Sequence, residues 1–245
     1  MIVTESKSEV LSLNAISERR PLVVELVGPP GAGKTTLLRV LCQRNKKILP
    51  GIRLRKTTYI PLFISKVFYW LPIFLCRYSH SRWFTWGELR ALTYLTGWLQ
   101  VLGRRTASDD AVTVLDHGPI FRLALLREFG PEMTKSRHND QWWNRVLAQW
   151  ANTLSLVIWL DASDSVLLKR IHNRNQAHRV KGKSEHDAYE FLARYRSTYR
   201  DIIGKLTGHH GPALLGFDTE KQSVEQIAGA VLAAIEVERN TGRLL

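Results

Sequence analysis

Gly28-Pro29-Pro30-Gly31-Ala32-Gly33-Lys34-Thr35 decides the fold of this chain. The stretch satisfies the pattern G-x-x-x-x-G-K-[S/T] at every fixed position. Before it, Leu22-Val23-Val24-Glu25-Leu26-Val27 reads as a buried strand. After it, Thr36-Leu37-Leu38-Arg39-Val40-Leu41-Cys42 reads as a helix. Phosphate binding requires this order of strand, loop and helix. The glycines let backbone N–H groups turn inward, and the helix N-terminus adds positive dipole beneath an anion. Residues Gly28, Pro29, Pro30, Gly31, Ala32, Gly33, Lys34, Thr35 and Thr36 are therefore the expected cradle for a nucleoside triphosphate. Lys34 is expected to contact its β- and γ-phosphates, and the Thr35 hydroxyl to ligate Mg²⁺.

Working outward, short apolar runs recur, each ending where polar residues begin. Val112-Thr113-Val114-Leu115 leads into Asp116-His117, Leu156 to Leu160 into Asp161, and Ala213 to Phe217 into Asp218-Thr219. Helical patterns lie between them, near 34–46, 85–105, 120–129, 139–152, 163–175, 185–206 and 222–238. Strands alternating with helices predict an α/β protein with a three-layer P-loop NTPase fold: a parallel sheet of about five strands, helices on both faces, and a helical insertion. Functional groups should gather at the C-terminal ends of the strands. Asp116 falls there, where it can hold Mg²⁺ through water or accept the proton of an attacking hydroxyl. Asp161 also falls there, and reads as a cap for the helix that follows.

With 245 residues the chain accommodates one sizeable domain. Residues 1–20 read as a polar tail, 21–240 as the domain and 241–245 as a second tail. No secretory apolar core is seen near the start, which predicts a cytoplasmic protein. Cys42 and Cys76 form no metal pattern and read as buried thiols. The segment 48–110 breaks the strand–helix rhythm. Ile52-Arg53-Leu54 reads as an edge strand. Ile60 to Cys76 is strongly apolar but carries Lys66, Pro61 and Pro72. It is expected to be part of a helical insertion that packs on the sheet and covers an acceptor pocket. Its aromatic and basic residues also suit peripheral contact with a membrane surface.

The net charge of +13 is unevenly spread: residues 53–105 hold nine basic residues and one acid, Glu88. Such an imbalance suits an anionic ligand. Arg77, Arg82, Arg90 and His117 are the candidates to bind an anionic acceptor. A second cluster runs from Lys169 to Lys183.

Three stretches together resemble the thymidylate kinase-like group of P-loop nucleoside and nucleotide kinases. They are Gly28 to Thr35, the run Val157-Ile158-Trp159-Leu160-Asp161 followed by a helix with Arg170 and Arg174, and Gly216-Phe217-Asp218-Thr219. The resemblance implies an ATP- and Mg²⁺-dependent phosphotransferase. It implies a lid over 170–184 in which Arg170, Arg174 and Arg179 serve catalysis, with Arg170 or Arg174 alternatively stacking on adenine. It also implies an adenine-side loop containing Thr219. The family shows Asp-Arg where this chain has Asp116-His117, and an Arg-Glu-Pro-like motif that is missing here, which argues against thymidylate as acceptor.

The expected activity is transfer of the γ-phosphate of ATP to a hydroxyl or phosphate of an anionic or membrane-associated small molecule. One alternative is a nucleoside or nucleoside-monophosphate kinase proper. Another is a regulatory NTP-binding module that binds nucleic acid, against which no nucleic-acid motif is found. No Asn-Lys-x-Asp stretch occurs to select guanine. A homodimer is compatible with the sequence.

Overall fold

The computed structural model describes residues 21–103, 111–174, 180–208 and 211–241. Strand β1 (Leu22–Val27) enters the phosphate loop and helix α1 (Lys34–Arg44). Strand β2 (Ile48–Pro50) follows, then two helices, α2 (Lys56–Arg77) and α3 (Trp86–Leu102). Strand β3 (Val112–Asp116) leads into α4 (Pro119–Phe129), a single turn α5 (Glu132–Lys135) and α6 (Asp140–Ala151). Strand β4 (Leu156–Asp161), α7 (Asp164–His172), α8 (Glu185–Leu206), β5 (Ala213–Asp218) and α9 (Val224–Thr241) complete the order.

The strands form one parallel sheet in the order β2-β3-β1-β4-β5. The two central neighbours of β1 are thus β3 and β4, so the phosphate loop emerges between Asp116 and Asp161. Alternating side chains feed two cores. Val24, Leu26, Val114 and Ile158 face one side, with Leu37, Leu41 and Val231 of α1 and α9. Val23, Val27, Leu115 and Val157 face the other, with residues of α3, α4, α6 and α8. The central strands β1, β3 and β4 are buried on both faces, which explains why they read as continuous apolar runs.

Three expectations are corrected. The edge strand is Ile48–Pro50 rather than 52–54. Gly51, at φ +72°, turns the chain out of the sheet just before that segment. Ile52 is nonetheless buried, and its carbonyl accepts from the Trp98 indole at 3.1 Å. The apolar segment 60–76 lies within one continuous helix, α2, which passes through both prolines and packs on α3 rather than on the sheet. Only Trp70 of that helix is buried. Finally, Cys42 is half-buried and Cys76 exposed.

Helix α3 starts on a capping box. Thr85 N–H donates to Glu88 Oε2 at 2.8 Å, and the Thr85 hydroxyl accepts from Glu88 N–H. The same Glu88 carboxylate is gripped by Arg82 at 2.7 and 2.9 Å, and Arg82 also donates to the Phe129 carbonyl. Burial alone would raise the Glu88 pKa; the Arg82 and Thr85 donors override it and hold it low. This strut fixes the insertion onto the end of α4.

Candidate active site

The phosphate loop is built on backbone that side chains disfavour. Gly28, Gly31 and Gly33 have φ of +147°, +89° and +89°. A Cβ on Gly28 would lie 2.0 Å from the Leu160 carbonyl, so only glycine lets the loop leave the sheet there. Lys34, the first residue of α1, folds back over the loop and donates to the carbonyls of Gly28 (2.7 Å) and Pro29 (3.0 Å). Desolvation lowers its pKa to about 8; Asp116 opposes that shift and Arg174 adds to it. Arg174 therefore places positive charge within reach of Lys34.

The Thr35 hydroxyl donates to Asp116 Oδ2 at 2.7 Å. Asp116 ends β3, beside β1, as its position in the sequence predicted. Its Oδ1 is buried and accepts no hydrogen bond, and His117 Nδ1 lies 3.4 Å away. His117 has φ +63°, and its ring meets Phe121 edge-on at 4.4 Å. Partial desolvation lowers the His117 pKa against the pull of Asp116, although its side chain is 52% exposed.

These groups fit Mg²⁺. A hydroxyl and a carboxylate oxygen already share one point, and the second carboxylate oxygen is buried and unpaired. Among the described residues, no three His, Cys, Asp or Glu side chains gather into a metal cage. A Mg²⁺ here would be held by Thr35 and Asp116 together with phosphate oxygens, as hard cations with few protein ligands are.

On the other side of the loop, Arg170 donates to the Thr219 hydroxyl and to the Thr219 carbonyl, both at 2.9 Å, and to the Gly31 carbonyl at 3.4 Å. The Thr219 hydroxyl in turn donates to the Asp161 carbonyl at 3.0 Å. Arg170 is thus a clamp between the phosphate loop and the Thr219 turn. Of the lid arginines, Arg174 stands just past the end of α7, and Arg179 lies outside the described residues. Asp161 does not cap α7. Its carboxylate binds Arg196 of α8 at 2.9 to 3.1 Å and the Ala162 N–H at 2.9 Å, and Arg196 also reaches Asp164 and the Ala162 carbonyl.

The four acceptor candidates separate. Arg82 is committed to Glu88. Arg77 stands 18 residues along α2 from Tyr59, about 27 Å in a straight helix. Arg90 and His117 instead converge with residues that sequence reasoning missed. Arg122 of α4 lies over the rings of Tyr94 (4.5 Å) and Trp98 (4.7 Å). Its Nε is buried without a hydrogen-bond partner, as is the Tyr59 hydroxyl. Tyr59 packs on Tyr94 at 5.8 Å, and Arg90 donates to the Tyr94 hydroxyl at 3.3 Å. Desolvation lowers the Arg122 pKa to about 10, which leaves it charged at neutral pH. Arg122 also contributes to the field at His117, together with Lys34 and Asp116. A cationic, aromatic cluster therefore lies on the α2–α3 side, with its Arg122 acting on the His117 next to Asp116.

Behind it, Glu25 of β1 is fully buried. Its carboxyl accepts from the N–H groups of Ile120 (2.9 Å) and Phe121 (3.1 Å), and so caps α4 from a strand 95 residues earlier. A Cβ on Gly118 would sit 2.6 Å from Glu25 Cδ, so that glycine admits the carboxyl to the helix end. Burial dominates the donors and raises the Glu25 pKa to about 8.

The loop, its lysine and the Thr35–Asp116 pair on a five-stranded parallel sheet define a P-loop protein with the fold of nucleotide kinases. Residues 23–197 match the family model described as an AAA domain, and the chain belongs to that family. No curated protein matches the chain. Solved structures similar in fold include thymidylate kinase from Candida albicans, with TM-score 0.53 and 14% identity over 90% of this chain and 93% of that one. Deoxyadenosine kinase from M. mycoides with dCMP and dCDP has TM-score 0.53 and 14% identity, over 88% of this chain and 99% of that one. The YorR protein of Bacillus subtilis in complex with phosphorylated GDP has TM-score 0.51 and 16% identity, over 89% of this chain and 98% of that one.

Proposed function

We propose that this protein is an ATP- and Mg²⁺-dependent small-molecule kinase that transfers the γ-phosphate to an acceptor hydroxyl or phosphate held beside Arg122 and Arg90. The observation that carries the reading is the Thr35–Asp116 bond at 2.7 Å, which joins the first turn after the phosphate loop to the end of β3.

The residues divide the work. Lys34 exchanges its two loop carbonyls for β- and γ-phosphate oxygens and meets the charge that develops on them. Thr35 and Asp116 would hold Mg²⁺, which would supply positive charge against the phosphate oxygens. Asp116 is placed to accept the proton of an attacking acceptor hydroxyl, or to hold water on the metal. The acceptor oxygen bonds to the γ-phosphorus, the bond to the β-phosphate oxygen breaks, and ADP leaves. Arg174, just past the end of α7, supplies a further cation that acts on Lys34. Arg122 and Arg90 recognise an anionic group on the acceptor, and Tyr59, Tyr94 and Trp98 supply a wall for its apolar or planar part.

That wall also favours a second reading, a nucleoside or nucleoside monophosphate as acceptor, because stacked aromatics suit a base. Incubation with ATP, Mg²⁺ and a broad metabolite pool, with mass detection of products, tests both readings. A phosphorylated non-nucleoside anion supports the first and a phosphorylated nucleoside or nucleotide the second. ATP consumption with no acceptor product would count against both.

A further inference from the structure

Helix α2 has two apolar sides and only one of them meets protein. Tyr59, Phe63, Lys66 and Trp70 recur at helical spacing along the inner side. Trp70 is fully buried and packs edge-on against Phe84 and Trp142 at 5.5 Å. Ile60, Ile64, Phe68, Leu71 and Leu75 recur at the same spacing on the other side, and all are exposed. Phe68 is 71% exposed and Leu75 61%. Between Lys56 and Arg77 the only charge is Lys66, and it shares the inner side. Its pKa is lowered by burial. The outer side is therefore an uncharged apolar stripe from Ile60 to Leu75, about 22 Å along a 22-residue helix. Stripes of this size on a protein surface mark an interaction site.

Charge brackets the stripe. Arg53, Arg55 and Lys56 are exposed at its N-terminal end and Arg77 at its C-terminal end. The single acid of the described insertion, Glu88, is buried and neutralised by Arg82. Exposed aromatic rings flank the helix: Tyr69 is 51% exposed, and Trp86 is 64% exposed while packing on Phe63. An apolar stripe with cationic ends and amphipathic aromatics matches an anionic bilayer at its headgroup boundary.

We propose that α2 docks this protein on the surface of an anionic lipid membrane, lying in the plane of the headgroups with Ile60, Ile64, Phe68, Leu71 and Leu75 turned into the acyl boundary. Among the described residues α2 is also the one helix long and apolar enough to cross a membrane. Crossing would pull Trp70 and the rest of the inner side out of the protein, whereas surface docking leaves that packing untouched. Pro61 and Pro72 agree with a surface position. Lacking N–H groups, they cannot donate to the carbonyls of Thr57 and Phe68, which water can reach at an interface but not in the bilayer interior. A second copy of the chain on the same stripe would set cationic ends near one another; anionic lipid complements them.

The test is co-sedimentation of the full chain with phosphatidylcholine vesicles, with and without phosphatidylglycerol at about a third of the lipid. The wild type should pellet with the anionic vesicles and far less with phosphatidylcholine alone. Binding should weaken as salt rises above about 0.1 M. The variant Ile64→Ser, Phe68→Ser, Leu75→Ser changes exposed positions only and should lose at least about tenfold in vesicle affinity, with its circular dichroism, melting temperature and nucleotide binding unchanged. Wild-type protein that stays in the supernatant with anionic vesicles at low salt would overturn the proposal. So would a triple variant that binds as well as wild type, or a wild-type dimer that the triple variant converts to monomer without any vesicle binding. None of these readouts depends on kinase activity, so the membrane proposal and the catalytic reading stand or fall separately.

Discussion

The Thr35 hydroxyl and the Asp116 carboxylate meet at 2.7 Å, although 81 residues separate them. The bond ties the first turn of α1 to the end of β3 and defines where a metal and a reacting hydroxyl would sit.

Asp116→Asn preserves the shape of that contact and removes its charge. We expect kcat to fall by about 10²-fold or more, the usual scale for an acid–base group, with ATP affinity changed far less. Steady-state kinetics with the identified acceptor checks this. A near-wild-type kcat would remove Asp116 from the chemistry, and a large loss of ATP·Mg²⁺ affinity instead would make it a metal-site residue alone.

Lys34 has a pKa of about 8 in this structure, lowered mainly by desolvation. Phosphate oxygens favour its charged form, so nucleotide binding should take up protons above about pH 8, and affinity should decline as pH rises beyond that value. Titration calorimetry at pH about 8.5, in buffers of different ionisation enthalpy, measures the uptake. Lys34→Met should abolish it. Wild-type binding with no linked proton would contradict the reading.

Glu25 keeps in the folded chain a proton that the unfolded chain releases. Its pKa is raised from 4.5 to about 8, so its contribution to stability is complete below 4.5 and is lost as pH rises to about 8. Glu25→Gln, which does not ionise, should flatten the stability profile over that range and gain on the wild type toward pH 8. Chemical denaturation at a series of pH values tests this. Identical slopes in both proteins would place the titrating group elsewhere.

Arg82 and Arg122 should part company. Arg82→Ala breaks the strut to Glu88. It should lower stability by on the order of 1–2 kcal/mol, because Arg82 itself is half-exposed while its partner is buried, with acceptor KM little changed. Arg122→Met keeps the aliphatic packing and should raise acceptor KM about tenfold or more, the scale of a lost charged contact, with ATP KM unaffected. Reversed results would make Arg82 the acceptor ligand, as its sequence context alone suggests.

Four of the five strands and the phosphate loop were legible because their signals are local. Leu22–Val27, Val112–Asp116, Leu156–Asp161 and Ala213–Asp218 are apolar runs closed by polar residues, and the loop carries its own glycines. The insertion was legible only as an exception to the rhythm. Periodicity could not say that one side of Ile60–Cys76 meets protein and the other does not, since both sides are apolar. Arg82 read as a free cation because its partner lies in the next helix. Asp161 read as a cap because Arg196, which it binds, is 35 residues away. Arg122 carried no signal beyond being an arginine near a helix start. Glu25 did carry one: a lone carboxyl inside a strand buried on both faces needs a partner, and the end of α4 supplies it.

Arg170 joins Gly31 to Thr219, two segments that sequence places 188 positions apart. The phosphate loop and the β5 turn are consequently held as one body before any nucleotide arrives. The entropy of assembling those two walls is spent when the chain folds, not when it binds. Thr219→Val, which removes the hydroxyl partner, would shift part of that ordering to the encounter with nucleotide, weakening affinity through a residue that need never touch the ligand.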